Sequence, residues 1–145
     1  MYEWALLALY PEILNLARQA VSDFWPKIYS ETDAYLILNE EKAKLGIHDP
    51  VILRRNSMSK SEAYSGKNRK GGFIIGYKPI LFTRINMRHE LYHIKNDALG
   101  YAGNNAQEYN SLPHASTEKL SMRKIKYLFI EEPRANLYSL TGLRL

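Results

Sequence analysis

The sequence predicts an α+β fold, in which a small mixed or antiparallel sheet packs on an N-terminal helix, a central helix and a C-terminal helix. Apolar residues recur at helical spacing in three stretches, 11–25, 84–98 and 117–140. Between the first two stretches lie short apolar runs bounded by glycine, proline and asparagine, a pattern typical of strands and turns. The length of 145 residues is sufficient for one domain with a buried core.

Composition limits the chemistry that the chain can perform. There are no cysteines, which excludes disulfides, thiolate ligands and thiol nucleophiles, so any metal site must use histidine and carboxylate ligands. The net charge of +5 arises within residues 54–70, the basic segment, where six basic residues stand against Glu62. The six are Arg54, Arg55, Lys60, Lys67, Arg69 and Lys70. We interpret this segment as a solvated loop, with contact to nucleic acid or an acidic peptide as the alternative.

The amino-terminal residues do not resemble a secretory signal. Acidic Glu3 stands where a basic region belongs, and Pro11 and Glu12 follow soon after. No apolar run is long enough to span a bilayer. We therefore expect a soluble cytoplasmic protein without a membrane partner.

The first predicted element is a helix over residues 2–25. Pro11 is expected at the start of its main segment, and Pro26 stops it. Four apolar residues at helical spacing are expected to face the core, namely Leu14, Ala17, Val21 and Phe24. The polar residues between them are expected on the opposite face, namely Asn15, Arg18, Gln19, Ser22 and Asp23.

Short elements follow before the central helix. Residues 34–38 are an apolar run of strand length, and residues 39–46 fit a brief helix with an asparagine cap and a glycine end. Residues 51–53 begin a second strand. Two further strands, at 63–64 and 72–77, flank a basic, glycine-rich loop and predict a hairpin.

The central helix is predicted at 84–98, with Thr83 as its N-cap, and carries the pattern H-E-x-x-H. Positions i and i+4 of a helix share one face, so His89 and His93 can bind one zinc ion. Glu90 is then placed to reach a metal-bound water as a general base. The row expected to face the core consists of Met87, Leu91, Ile94 and Ala98.

A catalytic zinc site needs a third protein ligand as well as an open position. The longer pattern H-E-x-x-H-x-x-G-x-x-H is absent, because Asn96 and Leu99 stand where its glycine and third histidine belong. The later candidates for the third ligand are Asp97, Glu108, His114, Glu118, Glu131 and Glu132.

The two motifs H-E-x-x-H and E-x-x-A-N, the latter at 132–136, resemble the gluzincin metallopeptidases. Among these, the chain is similar to the compact minigluzincins and to peptidase domains of the ImmA/IrrE type. The resemblance covers the layout of residues 30–142 and roughly a dozen motif residues. Pro133 inside the second motif departs from the pattern. The resemblance implies that residues 1–145 form a single zincin-like metallopeptidase domain.

The resemblance also assigns the site residues. It implies that His89, His93 and Glu132 bind one zinc ion and that Asn136 supports a ligand histidine. The spacing agrees with this, because Glu132 and Asn136 are four positions apart and share a helix face. Glu131 points about 100° away and is the less favoured ligand. His114 is the alternative third ligand.

If the resemblance holds, the reaction is hydrolysis of a peptide bond in a peptide or protein substrate. A zinc-activated water would attack, and Glu90 would take its proton and deliver it to the leaving amine. A second oxyanion donor is expected among Tyr101, Tyr109, His114, Tyr127 and Tyr138. An edge strand is expected to hold the substrate by strand addition, and the candidate residues are Gly72, Phe73, Ile74 and Ile75, within the strand at 72–77.

Two other functions fit the same sequence. The first is a non-catalytic regulatory or binding protein on a zincin fold, which would contact a partner or nucleic acid through the basic segment. The presence of Glu90 argues against it, because a purely structural zinc needs no general base. The second is a latent peptidase whose apolar end, residues 140–145, lies in its own cleft.

Overall fold

The structure, a computed structural model, describes residues 2–59, 61–96 and 127–143. Within these ranges it is a mixed α+β fold, which confirms the predicted class. The helices are α1 (Tyr2–Phe24), α2 (Glu31–Leu45), α3 (Arg84–Lys95) and α4 (Glu132–Thr141). The strands are β1 (Val51–Arg55), β2 (Ala63–Lys67) and β3 (Phe73–Tyr77). No helix in the described ranges has both the length and the apolarity that crossing a membrane requires.

The sheet is mixed, with strand order β1-β3-β2. The hairpin of β2 and β3 is antiparallel, as predicted, and β1 pairs with β3 in parallel. Because β3 is the middle strand, both of its edges are already paired. The prediction that residues 72–77 form the edge strand for a substrate is therefore wrong. A hairpin pattern in a sequence leaves open which of its two outer edges a third strand will occupy.

Gly72, one of the predicted substrate contacts, has a structural role instead. Its φ of +76° lies in the left-handed region, and a Cβ at this position would collide with the carbonyl oxygen of Pro50. Phe73 then donates its N–H to that same oxygen at 2.8 Å. The close approach allowed by Gly72 thus brings β3 alongside β1.

The first helix is continuous from Tyr2 to Phe24, with Pro11 inside it rather than at the start of a separate segment. Its predicted core face is only partly right, because Leu14 and Val21 are half-buried but Phe24 is 92% exposed, and Ser22 is completely buried. The inward side is polar where it meets α3. Arg18 donates to Oδ1 of Asn86 at 3.1 Å, and the hydroxyls of Ser22 and Thr83 lie 2.8 Å apart. This face of α1 thus contributes hydrogen bonds to the start of α3, and α1 also packs against α4.

The second helix corrects another prediction, since residues 34–38 are helical and not a strand. The helix begins at Ser30, whose side chain accepts a hydrogen bond from the Asp33 N–H, and ends at Gly46 in the left-handed region, as predicted for its end. Its buried positions follow helical spacing, namely Ala34, Leu38, Glu41 and Leu45. The pattern is hard to read from sequence because one of the four inward residues is a glutamate.

The third helix is the most enclosed element that the structure describes. Thr83 caps it, as predicted, by accepting a hydrogen bond from the Asn86 N–H. Nine of its twelve residues are buried, including the predicted core residues Met87, Leu91 and Ile94. It contacts α1, α2, α4 and the sheet, so side chains from most of its faces meet other elements. The remainder of its predicted range, 97–98, lies outside the described residues.

The last helix follows directly from a π-helical turn, Tyr127–Glu131. Pro133 explains this change of pitch. In an α-helix its missing N–H would leave the carbonyl of Phe129 unpaired, and its ring would clash with that carbonyl. A regular α-helix is therefore disfavoured just before Pro133, where the π turn lies. Pro133 lies in the first turn of α4, a position where proline is compatible with a helix.

Candidate metal centre

Glu132 at the start of α4 contacts both motif histidines of α3. Its Oε1 lies 3.1 Å from Nε2 of His89, and its Oε2 lies 3.0 Å from Nε2 of His93. The two Nε2 atoms are 3.1 Å apart, and the rings are nearly perpendicular at 87°. Three side chains from two helices thus surround one point and form a group that can hold a metal ion.

The geometry and the donor atoms suit a small divalent ion. Bonds of about 2.0–2.1 Å at tetrahedral angles would separate ligand atoms by about 3.3 Å, close to the observed distances. Oε2 of Glu132 is buried and, despite its 3.0 Å distance from His93, makes no hydrogen bond of acceptable angle to a described residue. A buried carboxylate oxygen of this kind needs a cation. Two imidazoles and a carboxylate match the ligand preference of zinc.

The electrostatics of the site also favour a cation at its centre. Burial lowers the pKa of His89, and the charge of Glu132 does not reverse this. Burial acts in the same direction on His93, but the carboxylates of Glu131 and Glu132 outweigh it and raise its pKa to about 9. Burial would raise the pKa of Glu132, whereas the two histidines hold it well below its usual range. An anionic Glu132 therefore attracts either a proton on His93 or a metal ion.

Glu131 contacts the other ring nitrogen of His93. Its Oε1 lies 3.3 Å from Nδ1 of His93, and the side-chain amide of Asn96 donates to both of its oxygens at 3.3 and 3.4 Å. Sequence reasoning considered Glu131 only as a less favoured ligand and missed this contact. The sequence feature that could have indicated this contact is Pro133. The π turn next to it changes the direction in which the Glu131 side chain points.

Asn136 does not occupy its predicted place. The side chain is completely buried, yet neither its Oδ1 nor its Nδ2 has a hydrogen-bond partner among the described residues. Nδ1 of His89 also lacks such a partner in the same ranges. The predicted hydrogen bond between Asn136 and a ligand histidine is therefore not formed among the described residues.

Glu90 lies beside a cavity of about 350 Å³ that α1, α3 and the start of β2 enclose. Its neighbours around the cavity are Arg18, Gln19, Ser61, Glu62, Ala63 and Asn86. Asn86 connects the two charged walls, since it donates to Glu62 at 3.2 Å and accepts from Arg18 at 3.1 Å. The carboxylate of Glu90 is thus next to the metal-binding group along the helix and next to a polar space large enough for part of a ligand.

The sheet edge nearest to this cavity is the side of β2 that faces away from β3. Glu62 accepts from the N–H of Lys78, and Asn68 donates to the carbonyl of Gly72. Hydrogen-bonded pairs alternate along an antiparallel ladder. Every second residue between Glu62 and Asn68 therefore directs its N–H and C=O groups away from β3. These residues are Ala63, Ser65 and Lys67. Within the described ranges no strand pairs with this edge.

Several other candidates do not join the site or cannot be compared with it. His48 is exposed on a turn, and Tyr138 is buried with its ring 5.4 Å from that of Tyr92. Leu143, near the end of the proposed latency segment, is 66% exposed. The remaining candidates lie outside the described residues, namely Asp97, Tyr101, Glu108, Tyr109, His114 and Glu118, and so does the side chain of Tyr127.

The described residues of the basic segment are spread along the sheet. Arg55 is in register with Tyr77, whereas Lys67 is in register with Phe73 at the other end of β3. Four residues of strand separate these ends, or about 13 Å at 3.3 Å per residue. Arg69 and Lys70 lie beyond Lys67 in the exposed hairpin loop. Charges that are adjacent in sequence thus lie at both ends of the sheet.

No protein-family model matches this chain, and neither the curated proteins nor the solved structures contain a significant match.

Proposed function

We propose that the chain is a zinc-dependent metalloendopeptidase of the gluzincin type, with α3 as its active-site helix and α4 as the helix that carries the third ligand. The observation that carries this proposal is the position of Glu132, whose two oxygens lie 3.0–3.1 Å from the Nε2 atoms of His93 and His89. A glutamate 39 positions after His93 meets the motif histidines on their shared face. A solvated acidic helix end has no reason to be buried against two imidazoles.

A bound zinc ion would supply Lewis-acid polarisation of the scissile carbonyl and would acidify a water molecule. The chain supplies the remaining functions. Glu90 accepts a proton from the attacking water and passes it to the leaving amine, a role that its position between His89 and the cavity supports. The low exposure of Glu90, 8%, keeps bulk water from competing for that proton.

The general base is tested by Glu90→Gln. The amide has nearly the same shape but cannot accept the proton, so hydrolysis of a fluorogenic peptide library or of unfolded casein should fall by about 10²–10⁴-fold. Zinc content, measured by elemental analysis, should stay at the wild-type level. Glu12→Gln on the exposed side of α1 removes the same charge at a distance and serves as the control. Undiminished activity in Glu90→Gln would contradict the mechanism.

The edge of β2 replaces β3 as the strand that we propose to hold an extended substrate. Ala63 borders the cavity with Glu90, and its N–H points away from β3, so a peptide added antiparallel to β2 would pass the general base. Ala63→Pro removes this donor without removing a hydrogen bond to β3. We expect a raised KM for peptides with unchanged zinc binding. An unchanged KM would exclude pairing at this position.

A further inference from the structure

We infer that Glu131 is the residue that orients His93 as a metal ligand, a positioning role that the motif pattern assigns to Asn136. This inference rests on the proposed metal site, and it concerns which outer hydrogen bond supports the site. Metal-binding histidines generally donate their second ring N–H to an oxygen, which fixes both the tautomer and the ring orientation.

The contacts of His93 place one carboxylate at each ring nitrogen. Nδ1 lies 3.3 Å from Glu131, and Nε2 lies 3.0 Å from Glu132. When Nδ1 donates its N–H to Glu131, the lone pair of the neutral ring is on Nε2 and points at the centre of the metal-binding group. The residue is only 2% exposed, so its ring has little freedom to rotate away.

Glu131 is itself held in place from the same helix as the histidine. Asn96, the C-cap of α3, donates its side-chain amide to both Glu131 oxygens at 3.3 and 3.4 Å. Asn96 is three residues after His93, so it projects from nearly the same side of the helix. The hydrogen bonds connect Asn96, Glu131 and His93 in series across the α3–α4 contact.

The π turn explains how two successive residues reach one imidazole. In a regular α-helix, Glu131 and Glu132 would point about 100° apart. The π turn Tyr127–Glu131 ends where α4 begins, so the two glutamates lie on either side of a change in helical pitch. Such insertions are frequent at functional sites because they redirect side chains. The change in helical pitch next to Pro133 thus accompanies the contact of Glu131 with Nδ1 of His93.

The alternative partner is poorly placed for the role. Both amide atoms of Asn136 are buried and have no hydrogen-bond partner within the described ranges. A residue that supported a ligand histidine would have its oxygen satisfied by that ring. Asn136 therefore does not occupy the position that Glu131 occupies.

The test compares zinc affinity in Glu131→Ala, Glu131→Gln and Asn136→Ala, by competition with a chromophoric chelator. Loss of an outer partner of a ligand histidine typically weakens metal binding by about 10–100-fold, and we expect this for Glu131→Ala. Glu131→Gln retains an acceptor oxygen and should recover most of the affinity. Asn136→Ala should change it by less than about threefold. Asn96→Ala, which removes only the support of Glu131, should act in the same direction as Glu131→Ala and less strongly.

A spectroscopic measurement separates orientation from folding. In the Co²⁺-substituted protein, the ligand-field bands should shift in Glu131→Ala and return towards the wild-type positions in Glu131→Gln, since they respond to ligand geometry. Wild-type affinity in Glu131→Ala, or a large loss confined to Asn136→Ala, would overturn the inference alone. Zinc binding that depends on Glu131 in a protein that hydrolyses no peptide would overturn the proposed activity alone. A wild-type chain that binds no zinc would overturn both.

Discussion

Two glutamates contact α3 from different helices, and the basic residues that each one meets are of different kinds. Glu41 of α2 is completely buried, and its Oε1 lies 2.9 Å from Arg84, 3.2 Å from Arg88 and 3.3 Å from Lys44. Glu132 of α4 meets only histidines on the α3 side, at 3.0–3.1 Å. We call the first group, Glu41 with its three cations, the ion cluster, and the group of His89, His93 and Glu132 the metal-binding cluster.

The difference lies in whether the positive charge is permanent. Arginine and lysine remain protonated at any physiological pH, so the ion cluster is electrically complete without a ligand. Burial would raise the pKa of Glu41, but the hydrogen bond from Arg84 and the charge of Arg88 outweigh it and lower the pKa. Histidines carry charge only when protonated, so the metal-binding cluster is complete only with a proton or a metal ion. The ion cluster therefore attaches α2 to α3, whereas the metal-binding cluster leaves a place for a ligand.

The largest expected effect is on the metal. Glu132→Ala removes one of the three proposed ligands. Zinc affinity should therefore fall on the order of 1,000-fold, which is more than the roughly 10–100-fold expected when an outer partner of a ligand histidine is lost. The free energy of unfolding measured in the presence of a chelator should also fall, because Glu132 raises the pKa of His93 and so stabilises the metal-free fold at neutral pH. Equilibrium dialysis with zinc and urea denaturation with a chelator measure the two quantities. Zinc affinity within tenfold of wild type would exclude Glu132 as a ligand.

The ion cluster should respond in the opposite way. Glu41→Ala leaves Arg84 and Arg88 without their buried partner, and breaking such a pair typically costs about 3–5 kcal/mol of unfolding free energy. Zinc affinity of the folded fraction should remain near wild type. Because the pKa of Glu41 is lowered, its contribution is present above its ordinary pKa and is lost as the pH falls through the lowered value.

Glu40 provides a matched control for this prediction. Its side chain is 57% exposed and contacts the same Arg84 at 2.9 Å. An exposed pair of this kind contributes about 0–1 kcal/mol, so Glu40→Ala should have a small effect in urea denaturation. Equal losses in Glu40→Ala and Glu41→Ala would show that burial does not set the strength of the ion cluster.

The two clusters also differ in how far the sequence predicts them. His89, Glu90 and His93 are local, since a five-residue pattern on a capped helix fixes their common face. Glu41 has no such signal, because a buried glutamate interrupts the apolar period of α2. The apolar run at 34–38 then fits a strand better than a helix, and the sequence prediction was wrong there. Long-range partners such as Arg84 are what make a glutamate acceptable at a core position.

The same limit applies to α1 and to the support of His93. The buried side of α1 carries Arg18 and Ser22, whose hydrogen bonds to α3 are not visible in apolar periodicity. Glu131 reaches His93 because Pro133 is accompanied by a change in helical pitch, and a count of 100° per residue gives the wrong direction for it. Local motifs thus predict which residues form the site, whereas contacts between helices determine their orientation.

The smallest expected effect concerns the proton that competes with the metal. The raised pKa of His93, about 9, means that the ring is protonated at neutral pH when no metal is bound. Zinc must displace this proton, so apparent affinity should rise by about tenfold per pH unit between roughly pH 7 and 9 and level off above that range. The lowered pKa of His89 means that it contributes no second proton there. Glu41→Gln should keep the same slope, because its charge lies in the ion cluster. Competition titrations across this pH range, corrected for zinc hydrolysis, measure the slope, and an affinity independent of pH would show that zinc displaces no proton from His93.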